Sequence, residues 1–381
     1  MKKPYNPEWI QNLEIIRLAD SWFEKKLISE SQLIGIKAGF SVPFYNPGIF
    51  VKIGLFLFTL VACSFFGGFL SMFFLGMSDG DGPLSLLSIV AGCAFIFVLE
   101  LLIRDKKLYH SGVDNALLYS AIAAFTTPYF LIITSPTVAQ FCLYILLILA
   151  IAHYRYADAF IAIASYAVLF TLLANLMMKF PLGAALLPFG IMAVSVIIFF
   201  FANKAVSDYY SFCNKVFKVL SLVTFYLGGN YYAVREGNAL LNDLPGSIAP
   251  QISFAQLFYF FTLAIPILYV AAGLKTKDRI LFITGLFAIA FSVFTYRYYF
   301  AFLPVEQGLA LAGILMMVTS VSIIKYLKTT KHGLTDDQDG KRKLANLEAL
   351  IIAQQVGQTP QERGVEFGEG NFGGAGAGEG Y

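Results

Sequence analysis

Apolar residues fill long, nearly uninterrupted stretches of this chain, with polar and charged positions gathered between them. The runs cover residues 49–75, 84–103, 115–134, 137–152, 157–178, 181–202, 215–234, 254–273, 280–302 and 305–326. A helix needs about 20 mostly apolar residues to cross a bilayer, so the pattern predicts ten transmembrane helices. Only Ser135-Pro136 divides the third run from the fourth, but proline cannot continue a helix and Ser-Pro favours a turn, so "TSPT" separates two spans.

Outside the runs the period changes to that of an amphipathic helix. In "NPEWIQNLEIIRLADSWFEKK", Asn6 is placed to cap a helix and Pro7 to open it. Trp9, Leu13, Ile16 and Phe23 then share one face, widened by Ile15, Leu18 and Trp22, opposite Arg17, Ser21, Glu24 and Lys25. Ser29 and Gln32 have the spacing of a capping box for a second short helix. Near the other terminus, "KRKLANLEALIIAQQ" sets Leu344, Leu347 and Ile351 on one stripe. These pieces can dock on each other or lie on an anionic lipid surface. The final "FGEGNFGGAGAGEGY" is too rich in glycine to offset its ordering entropy by burial, and is expected to be flexible.

The expected organisation is a cytoplasmic helical hairpin over 1–48, a membrane domain over 49–326, a linker and amphipathic helix over 327–359, and a glycine-rich tail over 360–381. The fold class is all-α, a polytopic helix bundle. Composition agrees: 58% of the residues are hydrophobic and 13% charged, against roughly 25% charged in soluble domains. The mean hydropathy is +0.70. A formal net charge of +3 over 381 residues gives no reason to expect nucleic acid.

Charge position carries more than charge sum. With both termini in the cytoplasm, alternate loops place 24 of the 27 Lys and Arg residues inside, leaving Lys179, Arg235 and Arg297 outside. That asymmetry is the positive-inside rule. Cys63, Cys93, Cys142 and Cys213 show no C-x-x-C spacing and read as free thiols in or beside apolar runs.

The stretch "WFEKKLISESQ", from Trp22 to Gln32, sets an aromatic and a short basic gap before hydrophobic-Ile-Ser-acid, a second helix and the first span. In this it resembles bacterial multi-pass membrane proteins of the domain-of-unknown-function 2157 type, over roughly the first seventy residues. The resemblance implies a bacterial inner-membrane protein and supplies no activity.

Polar residues in or beside the spans are the remaining candidates for chemistry. Arg297 is expected near the outer end of the ninth span, snorkelling among Tyr296, Tyr298 and Tyr299 and within reach of Glu306. Glu100, near the inner end of the second span, is expected to pair with Arg104 one turn on, or else to face the bundle and carry a proton. His153, Arg155 and Asp158 in "HYRYAD" read as a charged inner loop at the mouth of the fifth span. Lys218 is expected to snorkel inward, Pro128, Pro188 and Pro266 to sit inside spans, and "GGNYY" to break the seventh span near its outer end.

No nucleophile elbow, Walker loop or dinucleotide fingerprint is found in the sequence, and no catalytic, metal-ligating or cofactor-binding residue is assigned from it. The leading expectation is therefore a non-enzymatic membrane component, with the lipid bilayer as solvent and a protein partner at its cytoplasmic ends. Trp9, Trp22, Phe23, Phe367, Phe372 and Tyr381 are its candidate docking residues. The alternative is a secondary or proton-coupled transporter of a small solute, centred on Glu100.

Overall fold

The computed structural model describes residues 3–74, 81–204, 207–241 and 249–300, and isolated helical positions between 307 and 325. Among these residues there are twelve α-helices. Two lead the chain, α1 (Pro7–Glu24) and α2 (Glu30–Gly39), and six long apolar ones follow: α3 (Ile49–Phe74), α4 (Asp81–Lys106), α5 (Val113–Ile132), α6 (Val138–Tyr156), α7 (Ala159–Met177) and α8 (Gly183–Lys204). Next come a 3-10 turn at Asp208–Tyr210, α9 (Ser211–Gly229) and a short α10 (Tyr231–Leu241). The pair α11 (Ala255–Thr276) and α12 (Arg279–Tyr299) closes the described part.

Eight of these helices, α3 to α8 with α11 and α12, are long and apolar enough to cross a membrane. Only 11% to 33% of each one's most apolar window is buried within the chain. Phe58, Phe65 and Met72 of α3 are all at least 75% exposed. So much outward-facing apolar surface is compatible only with a hydrocarbon solvent. The chain is an all-α polytopic membrane protein. The tenth predicted span, Glu306, the 327–359 segment and the tail lie largely or wholly outside the described residues.

The chain divides into two compact units, Met1–Arg17 with Lys37–Leu311, and Leu18–Ile36 with Ala312–Tyr381. In the second, Ser29 and Gln32 form the predicted capping box: the Ser29 N–H donates to Gln32 Oε1 at 2.8 Å and the Gln32 N–H to Ser29 Oγ at 3.3 Å. Trp22 and Phe23 are exposed there.

In the first unit, helix ends follow local sequence. Asn6 Oδ1 accepts from the Glu8 N–H at 3.0 Å and α1 opens at Pro7. Thr137 and Gln140 cap α6 reciprocally after the Ser-Pro turn. Pro128, Pro188 and Pro266 lie inside α5, α8 and α11. Neighbouring helices pair α4 with α5, α6 with α7, α8 with α9 and α11 with α12. The segment before α3 also joins the α4–α5 connection, where Tyr45 and Leu108 form an isolated parallel bridge.

The seventh predicted span is not among the eight helices long and apolar enough to cross a membrane, and the helix in its place ends early. The run extends to Val234, and the break expected at "GGNYY" falls inside it: α9 stops at Gly229, and Asn230 separates it from α10. Asn230 is fully buried. Its Oδ1 accepts from the Ala233 N–H at 3.1 Å, and its amide nitrogen donates to Tyr226 Oη at 2.9 Å and Thr295 Oγ1 at 3.0 Å. The Tyr231 N–H finds Thr262 Oγ1 of α11 at 2.9 Å. The groups freed by the break are thus met from neighbouring helices, as a non-aqueous surrounding requires. An apolar cavity of about 510 Å³ borders the break, lined in part by Leu227, Gly228 and Val234.

Candidate functional site

A dense cluster of polar side chains lies where the segment around Tyr5 meets the starts of α5 and α7. "HSGVDN" turns sharply into α5, with His110 at φ 46° and Gly112 at φ 100°. A Cβ on Gly112 would stand 2.2 Å from the Lys52 carbonyl oxygen, so only glycine lets α5 start against α3. The turn brings backbone N–H groups around Asp114, whose carboxylate accepts from the His110 N–H at 2.7 Å and the Ser111 N–H at 2.8 Å. Ser111 Oγ adds a bond at 3.0 Å.

The fourth donor comes from 109 positions earlier in the sequence. Tyr5, 3% exposed, donates its hydroxyl to Asp114 Oδ2 at 2.8 Å and sets its ring edge-on to Tyr109 at 5.2 Å. The segment leading into α1 is therefore latched into the membrane unit. Burial, and then the Asp114 charge, hold the Tyr5 phenol well above its ordinary range.

A second buried carboxylate stands beside the first. Asp158, 3% exposed, caps α7 by accepting from the Ile161 N–H at 3.0 Å, and takes further bonds from Asn115 Nδ2 at 2.6 Å and Tyr119 Oη at 2.9 Å. His110 Nδ1 lies 3.8 Å from it. Burial lowers the His110 pKa, against the raising pull of Asp114 and Asp158. The imidazole is thereby kept neutral at physiological pH.

A cavity of about 560 Å³ opens beside this cluster, with Glu14, Arg17, Lys52, His110, Asn115 and Asp158 among its lining. Both carboxylates already accept several hydrogen bonds, which suits them to holding elements together and orienting donors better than to abstracting protons. The recess offers cationic, amide and hydroxyl groups for a polar ligand.

Other sequence candidates fall elsewhere. Glu100 does not pair with Arg104, which instead meets Asp105 at 2.9 Å. Glu100 Oε1 accepts from Arg155 Nε at 2.6 Å and from Tyr156 Oη at 2.7 Å, tying α4 to α6. A partner on another helix outcompeted the one a turn away. "HYRYAD" is likewise no plain charged loop. Arg155 turns to Glu100, and Asp158 turns inward to cap α7. His153 packs between Tyr210 and Phe217 at 5.7 and 5.4 Å, its Nδ1 buried without a hydrogen-bond partner among the described residues.

Trp9 packs edge-on against Phe44 at 5.2 Å with the Lys107 ammonium over its ring, so it is engaged inside the unit. The buried side of α1 here is centred on Ile10. Lys218 pairs with Asp278, the N-cap of α12, and donates to Asn203 at 3.2 Å. Burial pushes the Asp278 carboxyl up, but the Lys218 ammonium and the Leu281 and Ile280 N–H groups together hold it below its ordinary value. Arg297 occupies the last turn of α12, half-buried, beside Tyr296 and Tyr298; Glu306, its expected partner, lies outside the described residues.

Sequence reasoning missed Tyr5, His110, Asp114, Asn115 and Tyr119. The usable signal was a carboxylate two residues after a glycine at the mouth of an apolar run. Its meeting with Tyr5 across 109 positions left no local trace. The architecture and the site define a polytopic helical membrane protein with a buried polar cluster at one end of the bundle. No family model, curated protein or solved structure matches the chain.

Proposed function

We propose that this chain is a ten-span bacterial inner-membrane protein with both termini in the cytoplasm, and a non-enzymatic component that binds or organises partners at its cytoplasmic end. One observation carries the reading: Tyr5 is buried against Asp114, so the N-terminal segment is a fixed part of the bundle's polar end. The lysine and arginine asymmetry of the loops supports the orientation. The resemblance of "WFEKKLISESQ" to bacterial multi-pass proteins supports the membrane. Trp22 and Phe23, exposed beyond the latch, are the aromatic contacts such a component offers.

Transport of a small solute is the second reading, favoured by the 560 Å³ recess beside His110 and Asp158. It moves the working carboxylate from Glu100, which is held by Arg155 and Tyr156, to Asp158. Native mass spectrometry of the full chain, gently extracted from its own membrane beside a chain ending at Thr359, separates the two. A stoichiometric protein partner lost with residues 360–381 is the expected result. A tail-independent small molecule, lost in Asp158→Asn and with no protein partner, would overturn the first reading in favour of transport.

A further inference from the structure

On the face of the bundle between α4, α5 and α6 lies an open trough of about 690 Å³. Its walls are apolar, among them Ile96, Phe97, Ile122, Phe125 and Ile148. Helices α5 and α6 follow one another in sequence but touch sparingly, and the trough runs between them. Phe97 and Ile151 on its rim are at least 60% exposed, so it faces the hydrocarbon and not the interior of the bundle.

One end of the trough is polar. Glu100 and Arg155 belong both to it and to a second cavity of about 350 Å³, which adds Lys3 and Arg104. Three cationic side chains therefore meet one carboxylate at the mouth, and that carboxylate is held by Arg155 Nε and Tyr156 Oη. Lys3 is steadied from behind by the rings of Tyr209 and Tyr210, its ammonium 3.9 and 4.6 Å from their centroids. Asp105, beside Arg104, lowers the excess of positive charge without cancelling it.

We infer that this composite groove is a binding site for an anionic phospholipid. One acyl chain fills the trough between α4, α5 and α6, and the phosphate is seated among Lys3, Arg104 and Arg155. The shape and the charge argue together. An apolar channel open to the bilayer takes a chain, and clustered Lys and Arg at its interfacial end select a negative headgroup. A zwitterionic lipid gains the same chain contact but less from the mouth. The site also gives Glu100 a positioning role, because it fixes the Arg155 guanidinium at the joint between the two cavities.

Cys93 reports occupancy directly. It lines the trough and is exposed, whereas Cys63, Cys142 and Cys213 are buried. The rate at which a maleimide modifies Cys93 is measured on the purified full chain in neutral detergent. Phosphatidylglycerol, phosphatidylcholine or soluble glycerol phosphate is added in turn. Phosphatidylglycerol is expected to slow the reaction several-fold, with phosphatidylcholine much weaker and glycerol phosphate without effect. The double variant Lys3→Ala/Arg104→Ala is expected to react at the unprotected rate with or without phosphatidylglycerol; an unchanged rate without lipid shows that the trough is intact. Equal protection by the two lipids, no protection by either, or protection that survives in the double variant would each overturn the proposal.

Discussion

Asp114 gathers four donors, two from backbone N–H groups, one from Ser111 and one from Tyr5. Asp114→Asn turns half of an all-acceptor group into a donor facing donors, which leaves buried groups unpaired at about 1–3 kcal/mol. Tyr5→Phe removes one partner and is expected to cost about 1 kcal/mol. A double-mutant cycle on thermal unfolding in detergent should show that the two losses do not add, because both break one contact. Strict additivity would mean the latch contributes nothing. Next to it, His110 titrates below its ordinary value of 6.5 because burial disfavours the cation. Below pH 6.5 the unfolded chain takes up a proton that the folded chain does not. Stability therefore falls as pH drops through the window from 6.5 to the depressed folded value. Unfolding midpoints compared at neutral and mildly acidic pH should show an acid-sensitive component that His110→Asn lacks. Little of this was legible in the sequence, since a pairing of Tyr5 with Asp114 obeys no period or spacing. Local signals such as Asn6, the "TSPT" turn and the Ser29–Gln32 box are written within four residues, and they could be read.

At the scale of elements, the apolar period located the spans well and the breaks less well. Each of the eight long apolar helices overlaps one predicted run, because a length near 20 residues is a requirement of the bilayer itself. The seventh run was too long because hydropathy does not register Asn230, whose polar groups are met by Tyr226, Thr295 and Ala233. "GGNYY" nevertheless marked the place. The closeness of helix packing was not legible either. A Cβ on Gly273 of α11 would lie 2.6 Å from the backbone nitrogen of Phe282 and 2.8 Å from its Cα. Without water to drive helices together, such small-residue contacts carry much of the association. Gly273→Ala should therefore separate α11 from α12 and lower the unfolding midpoint, although alanine favours helices intrinsically. Gly67→Ala in α3, where nothing lies within 4 Å, serves as the control and should be neutral or stabilising. Equal midpoints for both variants would contradict the close crossing.

Among the described residues, the membrane-spanning helices turn most of their apolar surface outward, while Asp114, Asp158 and Asn230 are buried with their hydrogen bonds met. The bulk property was plain from composition, whereas the grouping of His110, Asp114, Asp158 and Tyr5 needed the fold. The central claim is that the first residues are a latched part of the membrane unit, and hydrogen exchange tests it most directly. The full chain is held in lipid nanodiscs, and exchange over residues 3–17 is compared between the wild type and Asp114→Asn. Slow exchange in the wild type, markedly faster in the variant with α11 and α12 unchanged, is the predicted result. Fast exchange over residues 3–17 in the wild type, or equal protection in the two proteins, would contradict it.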